Sequence, residues 1–296
     1  MKIVKFKGGL GNQMFQYAFA KLLEKRTCET VKLDMSAYAS LRNDNVRKPR
    51  VEKFNLSLQQ VTESEKKSVV LFKQRGNSLS LFYKARVFFE SKLNKRYFFE
   101  RNRAFIDPAQ IIKYNYYDGY FQSWRYVKEV EQEVKQEFIP VHELSKNSQL
   151  VKEKMLRENS VFIGVRKGDY TSDKNSVAHY GAFTNEYYLR AMDIIAEKVS
   201  DPVFYIFSND VNWCKNNIDW GKHNVIYREA DEQTDDFEEL ILMSSCKHAI
   251  IVNSTYHWWG AYLINNDEKI VVAPKRWFFD DSPIDIVPPE WIRVDN

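Results

Sequence analysis

In the second half of the chain five short apolar runs stand out: VFIGV (161–165), VFYIFS (203–208), VIYR (225–228), HAIIV (248–252) and KIVVAP (269–274). Runs of this length, rich in β-branched and aromatic residues, read as strands buried on both faces. Between them lie segments of helical spacing. NEYYLRAMDIIAEKV (185–199) sets Tyr188, Ala191, Met192 and Ile195 on one side, FEELILMSSC (237–246) is a second helix, and Asn253-Ser254-Thr255 opens a third, YHWWGAYLI. Strands alternating with helices predict a parallel sheet, closed here by 269–274, which binds ligands at the carboxyl ends of its strands.

The first half begins in the same way. KIVKF (2–6) is a strand, Gly8-Gly9-Leu10-Gly11-Asn12 a turn, and the run carrying Phe15, Ala18, Phe19, Leu22 and Leu23 on one side a helix; VKLDM (31–35) is the next strand. Residues 36–80 are polar and irregular, 81–100 helical, 116–127 an aromatic loop or short strand, and 126–138 a helix that Pro140 ends. The polar stretch 141–158 joins two α/β halves, expected as domains 1–150 and 151–296. Two facing Rossmann-like domains with ligand in the cleft between them is the predicted architecture.

With 44% hydrophobic and 28% charged residues and a net charge of +4, the composition is globular and lacks the basic excess of a nucleic-acid binder. Cys28, Cys214 and Cys246 form neither C-x-x-C spacing nor an even framework, so reduced thiols are expected. The opening MKIVKFKGGLGNQ has no apolar h-region, and no run is long enough to span a bilayer. A cytoplasmic protein, at most peripheral at the inner membrane, is the expectation. Residues 84–103 interleave Lys84, Arg86, Lys92, Lys95 and Arg96 with Phe88, Phe89, Tyr97 and Phe98. Such a stretch can rest on an anionic membrane. The simpler reading, taken here, is a helix with its aromatic side buried and its basic face solvated.

Four segments carry chemistry. The Gly8–Gln13 turn lets backbone approach a ligand at a helix N-terminus, and it matches neither G-x-G-x-x-G nor a P-loop. Gly164-Val165-Arg166-Lys167-Gly168-Asp169-Tyr170 leaves a strand end with two consecutive bases, suited to a diphosphate. Asn253-Ser254-Thr255 caps a helix after a buried strand and makes a second phosphate cradle; Trp258 and Trp259 behind it read as core or wall. The acids Asp235, Asp236, Glu238 and Glu239 include a carboxylate that can accept from both N–H groups of guanine's edge. No D-x-D pair, H-E-x-x-H or G-x-S-x-G occurs, so no metal is expected and bases, hydroxyls and helix dipoles must neutralise a leaving diphosphate.

Together GGLGNQMFQYAFAKLL (8–23), VRKGDY (165–170) and SCKHAIIVNSTYHWWGAYL (245–263), with GYFQSWRYV (119–127) and PKRWFF (274–279), resemble the bacterial α-1,2-fucosyltransferases of glycosyltransferase family 11. The resemblance implies a GT-B-like α/β fold, metal-free inverting transfer from GDP-β-L-fucose, and a galactose-containing acceptor, such as a lipid-carrier-linked O-antigen repeat. It matches Arg166 to the family's phosphate-binding arginine; from the residues themselves, Lys167 is expected beside it at the leaving phosphates, and Asp169, ahead of Asp173, is the candidate general base. The resemblance matches Ser254 and Thr255 to the donor-phosphate cradle and Gly9, Gly11, Asn12 and Gln13 to the loop that meets donor and acceptor; Asn209, Glu239 and Asn253 are further candidates for donor contacts. Position 164, Gly here, is usually His in the family, Lys167 replaces an arginine, and Glu239 replaces an aspartate. These departures leave another GDP-6-deoxyhexose, such as GDP-colitose, as an alternative donor, and a non-catalytic nucleotide- or glycan-binding protein as the alternative class.

Overall fold

The computed structural model describes residues 1–39, 49–72, 81–166, 183–229, 234–278 and 284–296. The chain forms two units, Met1–Val141 with Pro283–Ile286, and His142–Ser282 with Val287–Asn296. The change of unit precedes residue 150, because the segment after Val141 is anchored in the second unit. Ser145 donates through its N–H and Oγ to Glu238 at 3.2 and 2.9 Å, and the helix Lys146–Arg157 that it caps buries Met155. Each unit carries an all-parallel sheet, as a GT-B-like α/β chain requires.

The first unit has four strands, β1 (Lys2–Lys5), β2 (Val31–Asp34), β3 (Tyr97–Phe99) and β4 (Tyr116–Asp118), in the order β2-β1-β4-β3. The helix Leu10–Thr27 follows β1 and is buried almost all round through Leu23; Phe19 stacks on Phe121 with centroids 3.9 Å apart. Buried Asp118 accepts from Lys5 Nζ (3.0 Å), Lys7 Nζ (2.8 Å) and Tyr97 Oη (2.7 Å). Burial alone would raise its pKa, but Lys7 and Lys5 hold it far below the usual carboxylate range.

Two sequence expectations change here. The predicted helix 81–100 stops at Leu93 and gives way to β3, and 126–138 is two helices, Trp124–Glu129 and Glu131–Glu137, that meet at Val130. The aromatic side of the Leu81–Leu93 helix is not its buried side. Tyr83, Arg86, Val87 and Glu90 share the buried face at i, i+3, i+4 and i+7, so Phe82, Phe88 and Phe89 point to solvent.

The second unit has six strands, β5 (Ser160–Val165), β6 (Val203–Ser208), β7 (Val225–Tyr227), β8 (His248–Ile250), β9 (Val271–Pro274) and β10 (Ile292–Val294), in the order β10-β9-β8-β5-β6-β7. The sheet is closed by β10, which sequence reading missed, and not by 269–274. From β5 the chain winds outward through β6 and β7, then returns to β8 and winds the other way through β9 and β10. That is the doubly wound Rossmann order, with its switch point between β5 and β8. The helix Asn185–Ala196 buries Tyr187, Tyr188, Ala191, Met192 and Ile195 in the core with Ile163, Ile206 and Ile250.

Candidate active site at the switch point of the second sheet

Because all six strands are parallel, their carboxyl ends lie along one edge. Strands β5 and β8 are hydrogen-bonded neighbours with Ile163 opposite Ile250. Three residues further on, Arg166 leaves β5 and Asn253 follows β8, so the two segments diverge from adjacent strands about 5 Å apart. This is the crevice position where doubly wound sheets take ligands. Arg166 is exposed, Ser254 is buried and Thr255 is the first residue of the helix Thr255–Tyr262. Ser254 Oγ accepts from the His257 N–H at 3.5 Å and so caps that helix, and Asn253 Nδ2 donates to the Trp277 carbonyl at 3.0 Å. Behind the cap, Trp258 and Trp259 are fully buried, and Trp258 stacks on Tyr262 at 4.7 Å. They are core.

The imidazole of His257 fills the space beside Gly164. A β-carbon on Gly164 would stand 2.3 Å from Nδ1 and 2.5 Å from Cγ of that ring. Burial, reinforced by the charge of Arg166, pushes the His257 pKa down to about 3, so the ring is neutral at physiological pH. Its Nδ1 is buried without a hydrogen-bond partner. Sequence reading overlooked His257. Its only signal was a glycine inside a buried strand, which marks a close approach by something else.

Further along the same edge, Asn209 follows β6 and is exposed, and Asp210 caps the next helix by accepting from Trp213 N–H at 2.9 Å. Arg228 follows β7, is buried, and was also overlooked, since it reads as the last residue of a strand. Its Nε lies 3.0 Å from Glu239 Oε1, an ion pair not aligned as a hydrogen bond, and its Nη2 has no hydrogen-bond partner. Glu239 is thus paired with a cation near the start of the helix Asp236–Ser245, while its neighbour Glu238 accepts from Ser145, the cap of Lys146–Arg157.

In the first unit, the Gly8–Gln13 turn is held from behind. Gln13 is buried; its Nε2 donates to the Gly8 carbonyl at 3.1 Å and its Oε1 accepts from the Arg50 and Val51 N–H groups. Gly8 has φ +84°, a left-handed conformation that suits glycine. Asn12 Oδ1 accepts from Gln122 Nε2 at 2.8 Å, and Gln16 Nε2 donates to the Gly119 carbonyl at 3.0 Å. Gly9 and Gly11 flank the helix start in the same turn. The first motif is therefore tied to GYFQSW through side-chain amides. Lys167, Asp169 and Asp173 lie outside the described residues. Among the described residues no helix is long and apolar enough to cross a membrane.

A parallel doubly wound sheet with a base and a capped helix start at its switch point places the chain among the doubly wound α/β proteins. The family model of glycosyl transferase family 11 matches residues 1–295, and the chain belongs to that family. It is a glycosyltransferase. The chain is 29% identical over 301 aligned residues to an α-1,2-colitosyltransferase of Escherichia coli, covering 99% of each. It is 28% identical to the O-antigen biosynthesis glycosyltransferase WbnK of Escherichia coli, covering 97% of this chain and 98% of that protein. A crystal structure of the NodZ α-1,6-fucosyltransferase co-crystallised with GDP superposes with a TM-score of 0.49 at 12% identity, covering 88% of this chain and 91% of that one.

Proposed function

We propose that this chain moves L-fucose from GDP-β-L-fucose to the 2-hydroxyl of a terminal galactose, with inversion, in a surface glycan built on a lipid carrier. The observation that carries the reading is the juxtaposition of Arg166 with Asn253, Ser254 and Thr255 at the switch point of one parallel sheet. The acceptor oxygen attacks the anomeric carbon as the bond from that carbon to the β-phosphate oxygen breaks. Arg166, Lys167 and the Ser254–Thr255 helix start take the charge that develops on departing GDP, without a metal. Asp169, or else Asp173, takes the hydroxyl proton. Glu239, steadied by Arg228, accepts from guanine, and Asn209 and Asn253 complete the nucleotide contacts. Gly9, Gly11, Asn12 and Gln13 form a backbone turn at a helix start that suits a substrate contact.

A second donor has a specific observation in its favour: one of the relatives matched over almost the whole chain is a colitosyltransferase. Colitose and fucose are both 6-deoxyhexoses, and a carbon-3 hydroxyl separates them. Incubation with GDP-fucose, GDP-colitose, GDP-mannose and UDP-sugars against a panel of β-galactosides, followed by linkage analysis, tests the reading. It expects GDP release only with a GDP-6-deoxyhexose and an α-1,2 product. Transfer from UDP-sugars alone would contradict it.

A further inference from the structure

On the Leu81–Leu93 helix, Leu81, Phe82, Phe88, Phe89 and Leu93 are exposed by 82, 79, 57, 49 and 62% of their surfaces. Phe88 and Phe89 meet edge to face at 5.6 Å, and Phe72 extends the aromatic surface with its ring centroid 6.2 Å from that of Phe89. An apolar face of this size is unusual on a soluble surface and marks a contact. The exposed charges of the segment 81–99 have one sign. Lys84, Lys92, Lys95 and Arg96 are exposed. The single acid between residues 81 and 99, Glu90, is buried, where it accepts from the Phe72 N–H and from Asn94 Nδ2, both at 2.8 Å. Arg86 also points inward, to Asp118.

We propose that this face of the Leu81–Leu93 helix docks the enzyme on an anionic lipid surface, its phenylalanines entering the headgroup region and its lysines lying against acidic lipid. Aromatic rings are favoured at the depth where headgroups meet acyl chains, and basic residues near the surface add attraction to anionic lipid. A bilayer also needs no matching pockets, so projecting rings on a lone helix suffice to enter it. A second copy of the same face is disfavoured, because an isologous contact would bring Lys84 and Lys92 against their own kind with no carboxylate between them. The inference is independent of which sugar is transferred, and it gives the proposed lipid-linked acceptor a surface on which to be met.

The test is flotation of the full chain with vesicles of phosphatidylcholine alone and of phosphatidylcholine with phosphatidylglycerol, at low and high salt. The parent should float with the anionic vesicles and be released by salt, and Phe88→Ser/Phe89→Ser and Lys84→Glu/Lys92→Glu should each lose about tenfold or more in partitioning. Melting temperature and GDP binding, read on the same preparations, should stay at parental values, which separates loss of docking from loss of fold or site. Failure of the parent to float, equal flotation of parent and variants, or equal binding to both vesicle types would overturn the proposal. A parent that self-associates and becomes monomeric in Phe88→Ser/Phe89→Ser, with no vesicle binding, would assign the face to a second copy instead. Capture of an acidic protein in place of vesicles would likewise contradict it.

Discussion

The imidazole of His257 occupies the volume that a side chain on Gly164 would need, with Nδ1 2.3 Å from the β-carbon position. The ring comes from the helix after β8 and lies against β5, where the family resemblance leads to the expectation of a histidine at 164 itself. The two positions are alternatives in one space, which accounts for the glycine. Gly164→Ala should therefore destabilise the chain by about 1–3 kcal/mol through overpacking. His257→Ala/Gly164→Ala should recover part of that loss. Thermal melting of the single and double variants checks this, and equal melting of Gly164→Ala and parent would separate the two residues.

The same ring predicts a pH dependence. In the unfolded chain His257 titrates near 6.5 and in the folded one near 3, so the folded state binds fewer protons between those values. Its contribution to stability is complete above about 6.5 and is lost as pH falls toward 3. The parent should lose stability faster than His257→Asn on titration from pH about 6.5 downward. Parallel denaturant midpoints for the two across that range would contradict it.

Arg228 and Glu239 form a mostly buried pair, exposed by 5 and 18%. Removing only the cation takes the counter-charge from a mostly buried carboxylate, so Arg228→Leu should cost about 3–5 kcal/mol, more than Arg228→Leu/Glu239→Leu. Glu239→Gln tests the base-reading role separately. Discrimination of GDP over UDP in competitive binding should fall about tenfold or more, as expected when a charged hydrogen-bond acceptor is neutralised.

Asp118 in the first unit faces Lys5, Lys7 and Arg86. Asp118→Asn removes the carboxylate from three cations and should destabilise by about 3–5 kcal/mol at neutral pH. Since its folded pKa is depressed, the parent's advantage persists at neutral pH and is lost as pH falls below the ordinary carboxylate range. Urea unfolding at neutral and acid pH reads both.

Much of the second unit was legible because its strands are continuous apolar runs: VFYIFS at 203–208 is β6 to the residue. The strand Ile292–Val294 was not, since three residues with Arg293 in the middle carry no period. Aromatic content predicts the wrong buried side for the Leu81–Leu93 helix, because the face that packs is set by spacing and includes Arg86 and Glu90. Arg166, Ser254 and Thr255 could be found from strand ends and caps. His257 and Arg228 could not, because their roles depend on which element lies opposite, information held in the strand order.

Calorimetric titration of GDP into the parent, Arg166→Ala and Thr255→Val reads whether Arg166 and the start of the Thr255–Tyr262 helix hold one donor diphosphate. Arg166→Ala should bind GDP about tenfold or more weakly and lose about 10²–10³ in turnover, with a smaller loss for Thr255→Val, at unchanged melting temperature. Parental GDP affinity and turnover in a folded Arg166→Ala would contradict it.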